Sequence, residues 1–207
     1  MVFPTKKDLD ISSFISGYSS NIAKGYDSID IDELRSIVSV LEENITNKHK
    51  IFTCGNGGSS AIAEHFTCDF VKGSSTETDI QPIVFSLPSN TSLITAIAND
   101  ISYDDIFSLQ VEKYASKDDI LLAISCSGNS PNIISALELA KSKGMSTISF
   151  LGFDGGKALE LSEYCIHINI HNYGIVEDIH QSLMHMLAQY LRLKHIDPSA
   201  NIDEKIF

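Results

Sequence analysis

The chain is poor in positive charge. Its 207 residues carry 15 lysines and arginines against 27 aspartates and glutamates, a formal charge of −12. Such a surface repels nucleic-acid phosphates and offers no basic footprint for DNA or RNA. A small anion is still admissible, because local dipoles outweigh a screened net charge within about 8–10 Å. No run approaches the ~20 apolar residues of a membrane helix, and the start, "MVFPTKKDLDISSF", has no apolar secretory core. A cytoplasmic protein is expected, without membrane partners. Cysteine is sparse as well. Cys54, Cys68, Cys126 and Cys165 form no C-x-x-C pair, so neither disulfide stapling nor a zinc finger is expected. Repeats, linkers and low-complexity tracts are absent.

What is present is a change of texture along the chain. Residues 8–48 step through apolar positions at helical spacing, with Asp30 or Asp32 placed to cap the second helix. Short β-rich runs follow at 50–54, 81–87, 119–125, 146–152 and 164–170, with helical patterns between several of them. A last helix, roughly 177–195, runs toward Pro198. Strands alternating with helices predict an α/β fold, a mostly parallel sheet covered on both faces. One domain over 1–207 is expected, with residues 1–48 as an N-terminal helical arm.

In open α/β sheets ligands bind beyond the carboxyl ends of the strands. Two predicted strands end in loops suited to that. In "GNGGSS", Gly57 and Gly58 permit close backbone approach to a ligand, and Ser59 or Ser60 is placed to cap the helix. In "ISCSGNSPN", Ser130 stands at an N-cap and Pro131 at the first helical position. The free N–H groups and the helix dipole suit a phosphate there, with Ser125, Ser127 and Ser130 as hydroxyl donors. Taken singly, each loop reads as an ordinary strand-to-helix turn; two in one small chain favour a ligand. Neither loop matches G-x-x-x-x-G-K-[ST] or G-x-G-x-x-G, which disfavours nucleotides.

His65 and Asp69 share a helix face at i and i+4. On the last helix Glu177 and His185 lie eight residues apart, about 80° around the axis and ~12 Å along it. Imidazoles and carboxylates suit zinc and similar ions. To join one site, Glu177 and His185 must lean together or come from different subunits. Gln181, one turn before His185, is the spacing alternative to Glu177. The plain readings are a surface His–Asp pair and a core histidine.

Together, "CGNGGSSAIAEHF", "TAIANDISYDDIF", "AISCSGNSPNIISALELAKSKGMSTISFLGFDGGK" and "VEDIHQSLMHML" resemble the sugar isomerase (SIS) domain, in its phosphoheptose isomerase branch. The resemblance spans roughly residues 8–195. It implies a three-layer αβα sandwich with a five-stranded sheet, and a homotetramer with active sites at subunit interfaces. The implied reaction is conversion of sedoheptulose 7-phosphate to D-glycero-D-manno-heptose 7-phosphate through an enediol, supplying heptose for lipopolysaccharide. By resemblance Ser125, Cys126, Ser127 and Ser130 hold the phosphate, and Asn56, Gly57, Gly58, Ser59, Asp100 and Glu177 line the sugar. His65, Asp69, Glu177 and His185 bind a divalent metal, zinc being the expected ion. Asp69 is the base and His185 its acid/base partner. Three departures stand out: Cys126 replaces a common threonine, Asp69 a usual glutamate, and Glu177 a frequent glutamine. The alternatives are a non-catalytic SIS regulator that binds a partner protein such as a replication initiator, and an isomerase of another phosphosugar.

Overall fold

The computed structural model describes residues 2–7 and 9–205. Met1 and Asp8 of the expected arm, and the last two residues, lie outside them. Five strands, β1 (Lys50–Gly55), β2 (Ile83–Ser86), β3 (Ile120–Ser125), β4 (Ser146–Gly152) and β5 (Tyr164–Ile168), form one sheet in the order β2-β1-β3-β4-β5. Every pairing is parallel, with Phe52 opposite Phe85 and Leu121, and Phe150 opposite Ile124 and Ile166. Every residue of the central β3 is buried. A parallel strand covered on both faces reads as a continuous apolar run for this reason.

Among the described residues, eight α-helices cover the sheet: α1 (Ile11–Asp27), α2 (Ile31–Thr46), α3 (Gly58–Cys68), α4 (Thr91–Asp100), α5 (Ser108–Tyr114), α6 (Pro131–Ser142), α7 (Gly156–Leu161) and α8 (Tyr173–His195). Alternation along the strands divides the interior into two cores. Ile51, Leu122, Ile124, Phe150 and Ile166 pack with α2, α3 and α8 through Leu41, Phe66, Ile179 and Leu183. Phe52, Leu121, Ala123 and Leu151 pack with α4 to α7 through Ile97, Val111, Ile133 and Ala158. Of the two N-terminal helices, α1 packs against α8, and α2 packs beside β5.

Local signals set several boundaries. Asp30, not Asp32, caps α2, accepting from the N–H groups of Asp32 and Glu33. Asn172 caps α8 by accepting from Ile175 N at 3.0 Å, so that helix begins four residues earlier than expected. Neither Ser59 nor Ser60 caps α3. The cap is Gly57, whose φ of 57° turns the chain at once from strand into helix and leaves both serines inside the first turn.

Candidate active site

The chain leaves β1 toward one edge of the sheet and β3 toward the other, so the loops that follow β1 and β3 flank a topological switch point. Their side chains tie them together. Asn56 Nδ2 donates to Asn132 Oδ1 at 2.9 Å, Asn132 Nδ2 returns a bond to Asn56 Oδ1 at 3.0 Å, and the Tyr103 hydroxyl donates to that same Asn56 oxygen. Asn132 is buried. Asn132 and Tyr103 were absent from the sequence-based candidates, although "SGNSPN" contains the former. What marks it is an amide on the first turn of a helix, facing a second loop that also carries one.

The loop after β3 is drawn tight around its serines. Ser125 Oγ accepts from Gly128 N at 3.1 Å and Ser127 Oγ from Asn129 N at 3.3 Å. A hydroxyl whose oxygen accepts an N–H keeps its own hydrogen for a ligand. Ser130 stands at the N-cap of α6 without a side-chain capping bond, which leaves first-turn N–H groups without a side-chain acceptor. Gly128 turns the loop at φ +62°, so close to Gly155 that a Cβ would lie 1.9 Å from its carbonyl oxygen. The loop after β4 is clamped here as well: Ala158 N donates to Gly128 O, and Lys157 N to Asn129 Oδ1. The glycines of "GFDGGK" thus serve close packing of one loop on another.

Glu177 lies against the first loop rather than near His185. Its carboxylate oxygens would meet a Cβ on Gly58 at 2.4 and 2.6 Å, and its Oε1 is 3.9 Å from Cys126 Sγ. Burial, and then the neighbouring Asp178, hold its carboxyl above the usual range. Burial, followed by the Glu177 charge, pushes the Cys126 thiol up to about 12, so Cys126 offers a packed S–H and a backbone rather than a thiolate. Asp100 ends α4, exposed, and accepts from Asn99 Nδ2.

The chemistry-bearing cluster is assembled from α3, the π-helical turn Asp69–Ser74 that continues it, and α8. His65 Nε2 is 3.3 Å from Asp69 Oδ1, and His185 Nδ1 is 2.8 Å from Asp69 Oδ2. The two rings meet edge to face with centroids 4.8 Å apart. A π-helical turn widens the helix where a functional side chain must be re-aimed, and Asp69 is its first residue. Donor atoms of His65, Asp69 and His185 lie within 4.8 Å of one another, the one such group among the described residues. Two imidazoles and a carboxylate on rigid helices fit a zinc-like ion. Glu177 is not in this group; Gln181 takes the adjoining place, with Nε2 at 2.9 Å from His65 Nδ1 and 3.0 Å from His185 Nε2. A cleft of about 440 Å³ borders Asp69 and His185, with Lys72 and Arg192 in its wall.

Residues 17–152 match the SIS domain family. The chain is 39% identical over 155 residues to a phosphoheptose isomerase of Helicobacter pylori, covering 75% of this chain and 80% of that one. It is 36% identical over 185 residues to the phosphoheptose isomerase of Aliarcobacter butzleri, covering 89% and 96%. Among solved structures, a phosphoheptose isomerase from Francisella tularensis superposes with a TM-score of 0.81 at 26% identity, covering 88% of this chain and 96% of that one.

Proposed function

The chain belongs to the SIS domain family, among the phosphoheptose isomerases, and on that premise we propose how its residues isomerise sedoheptulose 7-phosphate to D-glycero-D-manno-heptose 7-phosphate. The observation that carries the reading is a carboxylate held between two imidazoles in a chain whose serine-rich loop is built for an anion.

Ser125, Ser127, Ser130 and the Cys126 backbone hold the phosphate, far from the reacting carbons, and so supply positioning. Gly57, Gly58 and Ser59 line the sugar with Asp100 and Glu177, while Asn56 braces the two loops through Asn132. Asp69 takes a proton from C1 of the ketose as a proton is supplied to O2, which gives the enediol. After exchange with solvent, Asp69 delivers a proton to C2 as O1 gives up its hydrogen, which leaves the aldehyde at C1. His185, bonded to Asp69 through Nδ1, serves the two oxygens as acid and base through Nε2, which the substrate takes over from the Gln181 amide. His65, Asp69 and His185 would hold a divalent metal, zinc in our proposal, which supplies charge stabilisation for the enediolate when bound. Glu177, against Gly58, is assigned to the substrate side.

Residues 1–207 are proposed as one cytoplasmic domain, with helix α8 completing the core beyond the matched segment, and the product as a lipopolysaccharide precursor. We also propose a homotetramer with sites between subunits. Apolar side chains left exposed on α1 and α8, such as Ile11 at 71%, Ile15 at 58% and Tyr190 at 53%, support association. The test is turnover of sedoheptulose 7-phosphate in deuterated water, followed by NMR with and without chelator. Aldose carrying solvent deuterium at C2 is expected; tight binding of the sugar phosphate without turnover, even with Zn²⁺ added, would mark a regulator instead.

A further inference from the structure

Gln181 moves no proton in the reaction as described, yet it touches both histidines. Its Nε2 lies 2.9 Å from His65 Nδ1 and 3.0 Å from His185 Nε2. Asp69 occupies the opposite edge of each ring, at His65 Nε2 and His185 Nδ1. Four side chains thus close a ring, and its hydrogens can be counted. A carboxylate offers acceptors only, while a neutral imidazole carries one N–H. His185 must therefore turn its Nδ1–H to Asp69, so its Nε2 can only accept from the Gln181 amide. The second hydrogen of that amide then meets His65 Nδ1, which puts the His65 N–H on Nε2, 3.3 Å from Asp69. The nitrogens facing Gln181 are then both lone pairs, and the two hydrogens of one amide NH₂ group satisfy them, one each.

We propose that Gln181 is a positioning residue for this centre: its amide fixes His65 as the Nε2–H tautomer and His185 as the Nδ1–H tautomer, and holds the two rings against Asp69. The choice of glutamine follows from the same count. A metal taken up by the nitrogens that face Asp69 would leave the opposite nitrogens bearing the hydrogens, and the amide, turned over, accepts both through Oε1. Glutamate could only accept and methionine could do neither. Partners of this kind orient ligating histidines and set which nitrogen is free. The inference rests on the isomerase reading for its catalytic consequence alone.

The experiment uses the full chain. Long-range ¹⁵N–¹H spectra of the histidine side chains, taken metal-free with both rings neutral, are expected to show His185 as Nδ1–H and His65 as Nε2–H. Gln181→Met keeps the length and removes the donors. It is expected to abolish that fixed pair of tautomers, to lower kcat about 10–100-fold with KM little changed, and to weaken Zn²⁺ binding by a similar factor. Gln181→Glu should retain Zn²⁺ affinity, because a carboxylate can accept both hydrogens, but not the metal-free tautomers. His185 found as Nε2–H in the unaltered protein overturns the proposal. So does a Gln181→Met protein with both tautomers unchanged, or one with altered tautomers and full kcat. An unaltered protein that does not turn over the sugar would instead remove the isomerase reading, while the tautomers still decide this one.

Discussion

Gly128→Ala tests whether the loop after β3 is held by its contact with the neighbouring loop. Two costs can be separated. At φ +62° an L-residue is strained, by roughly 1–2 kcal/mol. The new Cβ would also lie 1.9 Å from Gly155 O and 2.7 Å from Gly155 C, so the two loops must part by more than about an ångström; relief of such overpacking costs a further 1–3 kcal/mol or so. Together they amount to about 2–5 kcal/mol, or a fall in Tm of roughly 4–20 °C for a chain of this size. A displacement of about 1 Å at a positioning loop costs on the order of 10²-fold in kcat/KM. Gly57→Ala is the clash-free comparison, since nothing lies within 4 Å of its added Cβ, while its backbone at φ 57° and ψ −123° carries a strain of its own. Thermal unfolding and steady-state isomerase kinetics of both variants decide the matter. Equal Tm values, with kcat/KM of Gly128→Ala unchanged, would refute the reasoning.

His180 is fully buried on α8 against Phe150, and burial pushes its imidazole down from 6.5 to about 4, with only a smaller opposing pull from the Leu151 backbone. The unfolded chain therefore binds the extra proton first, and stability falls as pH drops from about 6.5 toward 4. Between pH 7 and 5 the loss from this residue is about 2 kcal/mol. Urea unfolding at both pH values should show that increment in the unaltered protein and not in His180→Gln; equal pH dependence in the two would contradict it. Asn132→Ala removes both amide bonds to Asn56 and leaves a part-buried amide without them, at a cost of about 2 kcal/mol. Denaturant midpoints report the loss, and KM for the sugar phosphate is expected to rise with it; an unchanged midpoint would mean that the amide pair does not brace the loops.

Much of this architecture was legible because both periodicities are strong. The continuous apolar run of β3 marks a parallel sheet, and the edge strand β2 was located with its ends overextended by a residue or two. Helix starts were less legible wherever the cap is not a hydroxyl or carboxylate within the pattern: Gly57 begins α3 by its backbone angle, and Asn172 begins α8 outside the apolar periodicity. Short helices such as α4 carry too few turns to show a face. At the site, the spacing i to i+4 placed His65 beside Asp69, and resemblance led to His185. Neither indicated which α8 residue would stand between the histidines. Glu177 and Gln181 are one turn apart, and only the depth at which α8 crosses α3 puts Gln181 on the rings and Glu177 against Gly58. Asn132 was hidden for the same reason, since its partner lies 76 residues away.

The most direct measurement pairs turnover with binding in His185→Ala. Sedoheptulose 7-phosphate isomerisation and the affinity for an inert phosphosugar analogue are measured on the same preparation. Loss of acid/base function is worth roughly 10²–10⁴-fold in rate, and the account predicts at least that fall in kcat with analogue binding nearly intact. A variant that turns over the heptulose phosphate at the unaltered rate would contradict it.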